Sequence, residues 1–406
     1  MLSVQLLSFK KYILACFWIL VLAPTIFTLN IYGLHLSFKV VLLTLLSVSS
    51  LLYFRSSSKH YKKIGLAVIG FLVLHSIITI SFFQPLHFLT YKLLATLPIF
   101  ILICSSVASA VINAKEQEWE SLFKLNFIFQ IAIVFSVLGE YFFPELFLAN
   151  ENYRRIGQYS GIFSEPSNLA IAIILTATVS LFSKNKIFQF ASAIFWMLCL
   201  YLSTCLTFIF LSLGLLVINL LKVLDLKQSL GLIFFFALVI IYHFDEYHLL
   251  RLKSIFLSSD LIQANQSLNF SSMIYLQGWA DVWNNNLKTY FLGAGFNRMG
   301  LFDRVDLWGL GFDQRNINVN KYSGGFIFAK FFTEFGIFAA LIIFYWICVM
   351  FKELFKIINN QKEINLCTAL LLISFLIFSS RSPNYFYHLY ILFPIGHYLM
   401  NRYNKD

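Results

Sequence analysis

The sequence predicts an all-α polytopic membrane protein, a single integral membrane domain over residues 1–406 with about twelve transmembrane helices, both termini cytoplasmic and one large outer loop. Three observations predict it. Of the 406 residues 59% are hydrophobic and only 12% are charged, with a mean hydropathy of +0.77, far too apolar for a soluble globular chain. Apolar runs of the roughly 20 residues that a helix needs to cross hydrocarbon recur along the whole chain, separated by brief polar breaks. Lysines collect in alternate breaks, the inside-positive pattern that orients such helices.

Lys10 and Lys11 precede the first run, Leu14 to Leu34, which is long and lacks a clear small-residue cleavage site, so it reads as helix one and not as a signal peptide. A second helix spans about Leu36 to Phe54, ahead of the inner basic loop with Arg55, Lys59, Lys62 and Lys63. Three more are predicted at about Ile64 to Phe83, Leu89 to Val111 and Leu122 to Phe142, with AKEQEWES before the last as an inner loop. Residues 143–165 form an outer loop. Helices six to nine lie at about Pro166 to Ser183, Ile187 to Leu202, Leu206 to Leu221 and Ser229 to Tyr242, and STCLT is the outer turn between seven and eight. Residues 243–322 form a large periplasmic loop, and helices ten to twelve follow at about Phe326 to Phe351, Ile364 to Phe378 and Phe386 to Met400. Inside that loop Leu276, Trp279 or Ala280, Trp283 and Leu287 recur at helical spacing, with Gln277, Asp281 and Asn284 to Asn286 between them. They predict an amphipathic helix on the outer leaflet.

This topology sorts the cations. Most lysines fall inside, whereas Arg154, Arg155, Arg251, Arg298, Arg304, Arg315 and Arg381 fall outside. A guanidinium keeps its charge in a poorly hydrated site and offers a planar fork that matches phosphate oxygens bidentately. The formal net charge of +11 does not point to nucleic acid, because the basic residues are scattered over short loops with no basic stripe. Cys16, Cys104, Cys199, Cys205, Cys348 and Cys367 sit in or beside apolar segments with no CxxC spacing, so neither a disulfide frame nor a zinc site is implied. His243, Asp245, Glu246 and His248 make a small cluster of ligand types, but its histidine spacing suits a metal poorly. No metal and no cofactor is expected.

The stretch YRRIGQYSGIFSEPSNL, residues 153–169, sets two adjacent arginines and a Glu-Pro at the lip of a bilayer, where charge is costly without partners or water. No inner loop carries a glycine-rich phosphate loop, so a soluble nucleotide donor has no dock there. An activated group used on the outer face then arrives attached to a lipid diphosphate. Arginines suit the charge that develops as the diphosphate leaves, and one carboxylate suffices to deprotonate an acceptor hydroxyl. Glu165 is the candidate base, fixed by Pro166 at a first helical position; it equally suits a carboxylate that favours the helix dipole. Trp279 and Trp283 are either stacking faces for sugar rings or interfacial anchors. His388 either faces the cavity of Arg381 or is a satisfied helix-end histidine, and Lys330 and Glu334, at i and i+4 in an apolar span, pair or line the cavity.

GIFSEPSNLA, residues 161–170, resembles the Gly-x-x-x-Glu-Pro-Ser motif of Wzy-type polysaccharide repeat-unit polymerases. LGAGFN, residues 292–297, is similar to the Gly-x-Gly turn late in that family's large outer loop, and FTEFGIF, residues 332–338, to the Glu-x-Gly segment of the next helix. The resemblance implies a GT-C-like glycosyltransferase of the bacterial inner membrane with its active face periplasmic or extracellular. It would transfer a growing glycan from undecaprenyl diphosphate to the next lipid-linked repeat unit. Its implied partners are those repeat units, membrane lipid, and a chain-length regulator and flippase of the same pathway. By position Glu165 and Gly161 match the motif. The family often has an arginine three residues before that glycine, where this chain has Gln158, and Arg154 and Arg155 lie slightly earlier. Catalysis is thus expected of Glu165, Arg155 and Arg154, and substrate binding of Gly161, Arg251, Arg298, Arg381, Trp279, Trp283, Tyr322, His388 and Glu334. The alternatives are an O-antigen ligase, which carries a His-Asn pair where this chain has NKYSGGF, and a lipid-linked oligosaccharide flippase or other transporter. No histidine occurs between Leu249 and Tyr387.

Overall fold

The computed structural model describes residues 28–31, 34–37, 59–83, 116–143, 159–161, 166–203, 205–223, 270–296, 298–300, 302, 325–360 and 366–380. Among them the regular structure is helical apart from one short hairpin. The helices are α1 (Lys59–Phe83), α2 (Glu116–Phe142), α3 (Pro166–Leu181), α4 (Lys186–Leu202), α5 (Leu206–Val223), α6 (Phe270–Lys288), α7 (Ile327–Phe335), α8 (Ile337–Asn360) and α9 (Leu366–Ser380). Two contain stretches long and apolar enough to cross a membrane, Phe123–Phe142 in α2 and Ile337–Lys356 in α8. The predicted fourth, ninth and twelfth helices lie outside the described residues.

The helix α3 forms the centre, with α2, α4, α5 and α9 packed around it. It starts on Pro166, whose missing N–H costs nothing at the first helical position. From Leu169 to Ser180 every residue is buried, as expected of a helix that is apolar all round. Its Thr176 and Thr178 return their hydroxyls to carbonyls one turn back, so they add no unmet donors. Asn185 caps α4 by accepting the N–H of Ile187 at 2.9 Å.

The helix α2 divides into two stripes. Asn126, Gln130, Ile133, Val137 and Glu140 face inward and are buried, while Ile128, Phe135 and Phe142 are more than 60% exposed. The polar groups are on the inside and the large apolar ones outside. Asn126 donates to the carbonyl of Thr176 and the hydroxyl of Ser180, both at 2.9 Å, so the inner stripe is matched by α3. The helix α6 is inverted in the same sense: Gln277, Asp281 and Asn284 to Asn286 are buried, and Trp283 and Leu287 are exposed. An apolar outer face is stable only where hydrocarbon or another apolar surface covers it.

Three predicted boundaries need correction. Thr28–Ile31 pairs antiparallel with Leu34–Ser37, so the ends of predicted helices one and two are a hairpin. Asn30 and Gly33 are poor helix formers, and Thr28 and Ile31 are β-branched, which favours the extended chain. The predicted inner loop AKEQEWES is helical from Glu116, because its Glu, Gln and Trp residues break no helix. Predicted helix ten is two helices, α7 and α8, broken at Gly336.

Candidate functional site

The break at Gly336 is where two distant sequence motifs meet. Gly336 has φ +53°, outside the helical region and open to glycine at no steric cost. A helix break inside an apolar bundle exposes carbonyls at one end and N–H groups at the other, and each needs a partner. The turn 291–295 supplies them. The carbonyls of Thr333 and Glu334 accept the N–H groups of Ala294 (2.9 Å) and Gly295 (2.8 Å), and the first N–H of α8, from Ile337, reaches the carbonyl of Phe291 at 2.9 Å. The N–H of Gly336 closes α7 on Phe332 at 2.9 Å. The two backbones run so close that a Cβ on Gly293 would meet the carbonyl of Glu334, and one on Gly336 that of Phe291. LGAGFN and FTEFGIF therefore form one glycine joint.

Charge is concentrated at that joint. Glu334 and Arg298 are fully buried and Lys330 is 6% exposed. One oxygen of Glu334 accepts the N–H of Met299 at 3.2 Å and lies 3.9 Å from the ammonium of Lys330, the i, i+4 pair expected from the sequence. Arg298 is enclosed by the protein, and its own N–H bonds back to the carbonyl of Gly295 at 3.1 Å. Burial pulls its guanidinium below the usual arginine value, yet arginine keeps its proton at any ordinary pH. Among the described residues the joint brings together two cations and one carboxylate.

Helix α1 closes the joint from the other side. Nε2–H of His75 donates to the carbonyl of Leu292 at 2.8 Å, and the ring packs among Phe71, Phe335 and Phe338. A groove of about 700 Å³ opens beside Gly336, lined by Trp279, Trp283, Asn286, Phe291, Phe332 and Ile337. Asn286 donates to the carbonyls of Val282 at 2.8 Å and Phe332 at 3.2 Å, while its buried amide oxygen has no hydrogen-bond partner among the described residues. Trp279 is held by Phe326 and Phe332, and Trp283 is exposed. Both tryptophans named from the sequence thus lie on one groove wall.

No family model, curated protein or solved structure matches this chain.

Gly161, the first residue of the Glu-Pro motif, has φ +60° and sits against the end of α2. Oε2 of the buried Glu140 accepts the N–H groups of Ser160 (2.7 Å) and Gly161 (2.6 Å). Glu165, Arg154, Arg155, Arg251, Arg381, Tyr322 and His388 lie outside the described residues, as does the cluster His243 to His248. Of the residues named from sequence, Arg298 and Glu334 come together at the joint and Trp279 and Trp283 on the groove. His75, Glu140 and Asn286 were missed. The signal for the first two was present: each is a lone ionisable residue inside an apolar run, where such residues face the interior and have a partner.

Proposed function

We propose that the protein is a polysaccharide polymerase, a twelve-span enzyme of the bacterial inner membrane that transfers a growing glycan from undecaprenyl diphosphate to the next lipid-linked repeat unit on the outer face. One observation carries the reading. The two motif stretches that resemble the polymerases outside the Glu-Pro segment, LGAGFN and FTEFGIF, are bonded into a single joint that holds Glu334, Lys330 and Arg298 in its interior.

In this reading Glu165 takes the proton from an acceptor hydroxyl as its oxygen bonds to the anomeric carbon and the bond to the diphosphate breaks. The diphosphate carries away the bonding pair, and Arg154 and Arg155 stabilise its charge. Arg251, Arg381, Tyr322 and His388 hold the substrates, the buried Arg298 and Glu334 support binding from inside the joint, and the groove of Trp279 and Trp283 takes a sugar ring against an indole face. Neither metal nor nucleotide takes part. A chain-length regulator and a flippase of the same pathway are the expected partners.

The broken helix at Gly336 favours one other reading, since transporters place discontinuous helices at their binding sites. Deletion separates the readings. Loss of a polymerase leaves a single repeat unit on the surface acceptor, loss of an O-antigen ligase leaves none while lipid-linked polymer accumulates, and loss of a flippase leaves repeat units on the inner face. Unchanged long surface polymer excludes all three.

A further inference from the structure

At the turn at Gly161 two successive backbone N–H groups converge on one oxygen of a buried carboxylate. Successive N–H groups around a residue in the left-handed region form a small cradle for an anion. Here the chain fills its own cradle with Oε2 of Glu140, at 2.7 Å from the nitrogen of Ser160 and 2.6 Å from that of Gly161. The turn is held on other sides as well. The N–H of Tyr159 reaches the carbonyl of Leu202 at the end of α4 at 3.4 Å, and the Tyr159 ring meets the edge of Tyr141 at 5.2 Å. Gly161 lies so close to α2 that a Cβ would press on the Ser136 hydroxyl and come within 3.0 Å of the Val137 nitrogen. Glu165 follows four residues later and immediately precedes α3, the buried centre of the bundle.

We propose that Glu140 is the positioning residue of the Glu-Pro segment: it docks the Gly161 turn on α2 as a hydrogen-bond acceptor, and so sets where the three residues leading to Glu165 begin. The claim rests on the proposed reaction for its consequence but not for its geometry. Both N–H groups use the same oxygen, so one acceptor atom at that reach is sufficient. A glutamine supplies that atom without the charge. An aspartate keeps the charge but is one methylene short, and an alanine supplies neither.

The test uses the full-length protein in membranes, with Glu140→Gln, Glu140→Asp and Glu140→Ala. Amide hydrogen exchange over residues 159–161 reads the docking. Turnover and KM on lipid-linked repeat units, extracted from cells that lack the protein, read the consequence, each per mole of protein. The expected result is exchange faster by about tenfold or more in the Asp and Ala variants, with turnover lost and KM unchanged, and near-wild-type values for both in the Gln variant. A Gln variant as inactive as Ala, with its amides still protected, overturns docking as the reason Glu140 matters for turnover and assigns Glu140 a charge or proton. Wild-type exchange in the Ala variant overturns the docking itself, and faster exchange with undiminished turnover overturns the link to the reacting segment. If the wild type polymerises nothing while the exchange pattern holds, the docking stands and the proposed reaction falls.

Discussion

The glycine joint at Gly336 and the turn at Gly161 solve the same problem in different ways. Each must satisfy backbone groups left open inside an apolar bundle, at the joint by a helix break and at Gly161 by a turn. At the joint backbone answers backbone: the N–H groups of Ala294, Gly295 and Ile337 pair with the carbonyls of Thr333, Glu334 and Phe291. At the turn a side chain answers, and both N–H groups depend on the single carboxylate of Glu140. The joint cannot be undone by trimming a side chain, only by adding one; the turn can be undone at one atom. The first is a fixed element of the scaffold and the second an adjustable one.

The sharpest way to break that contrast is Gly336→Val. The residue sits at φ +53° with the carbonyl of Phe291 where the new Cβ would go, so neither strand can yield without losing its partner. The expected cost is more than about 4 kcal/mol, seen as loss of folded protein or a large fall in Tm in detergent. A normal Tm would show that the joint is not fixed. Next comes Lys330→Met, which takes the ammonium from a fully buried Glu334. About 3 kcal/mol is expected, with part restored in the double variant that adds Glu334→Gln, because a neutral pair needs no counter-charge. Additive losses in that double-mutant cycle would mean that the two side chains do not act together. The smallest effect is expected far from both regions. Asn185→Ala removes the cap of α4 and should lower stability by about 1 kcal/mol with no change in activity per mole.

Much of this arrangement was legible in the sequence. Apolar periodicity located α1, α3, α4, α5 and α9 within a few residues, and Trp279, Trp283 and Leu287 correctly announced α6. Helix ten was read as continuous because a lone glycine in a long apolar run does not interrupt periodicity. What broke it is the approach of Phe291 and Gly293, about 40 residues earlier in the chain, and such a contact leaves no local trace. The hairpin over Thr28 to Ser37 was hidden because its four-residue strands lie at the ends of the two apolar runs read as helices one and two. At the site, Lys330 and Glu334 were legible because i, i+4 spacing is local. The burial of Arg298 was not legible, because charge alone says nothing of which way a turn directs a side chain. Glu140 and His75 were written into apolar runs as lone ionisable groups, but their partners, Gly161 and Leu292, are known only once the chain is folded.

Polymerisation by a base in the Glu-Pro segment is tested most directly with purified protein in liposomes supplied with lipid-linked repeat units, wild type beside Glu165→Gln at equal protein. The account expects a ladder of lengthening lipid-linked glycan from the wild type and single repeat units alone from the variant. Repeat units left unextended by the wild type, or the same ladder from both proteins, would contradict it.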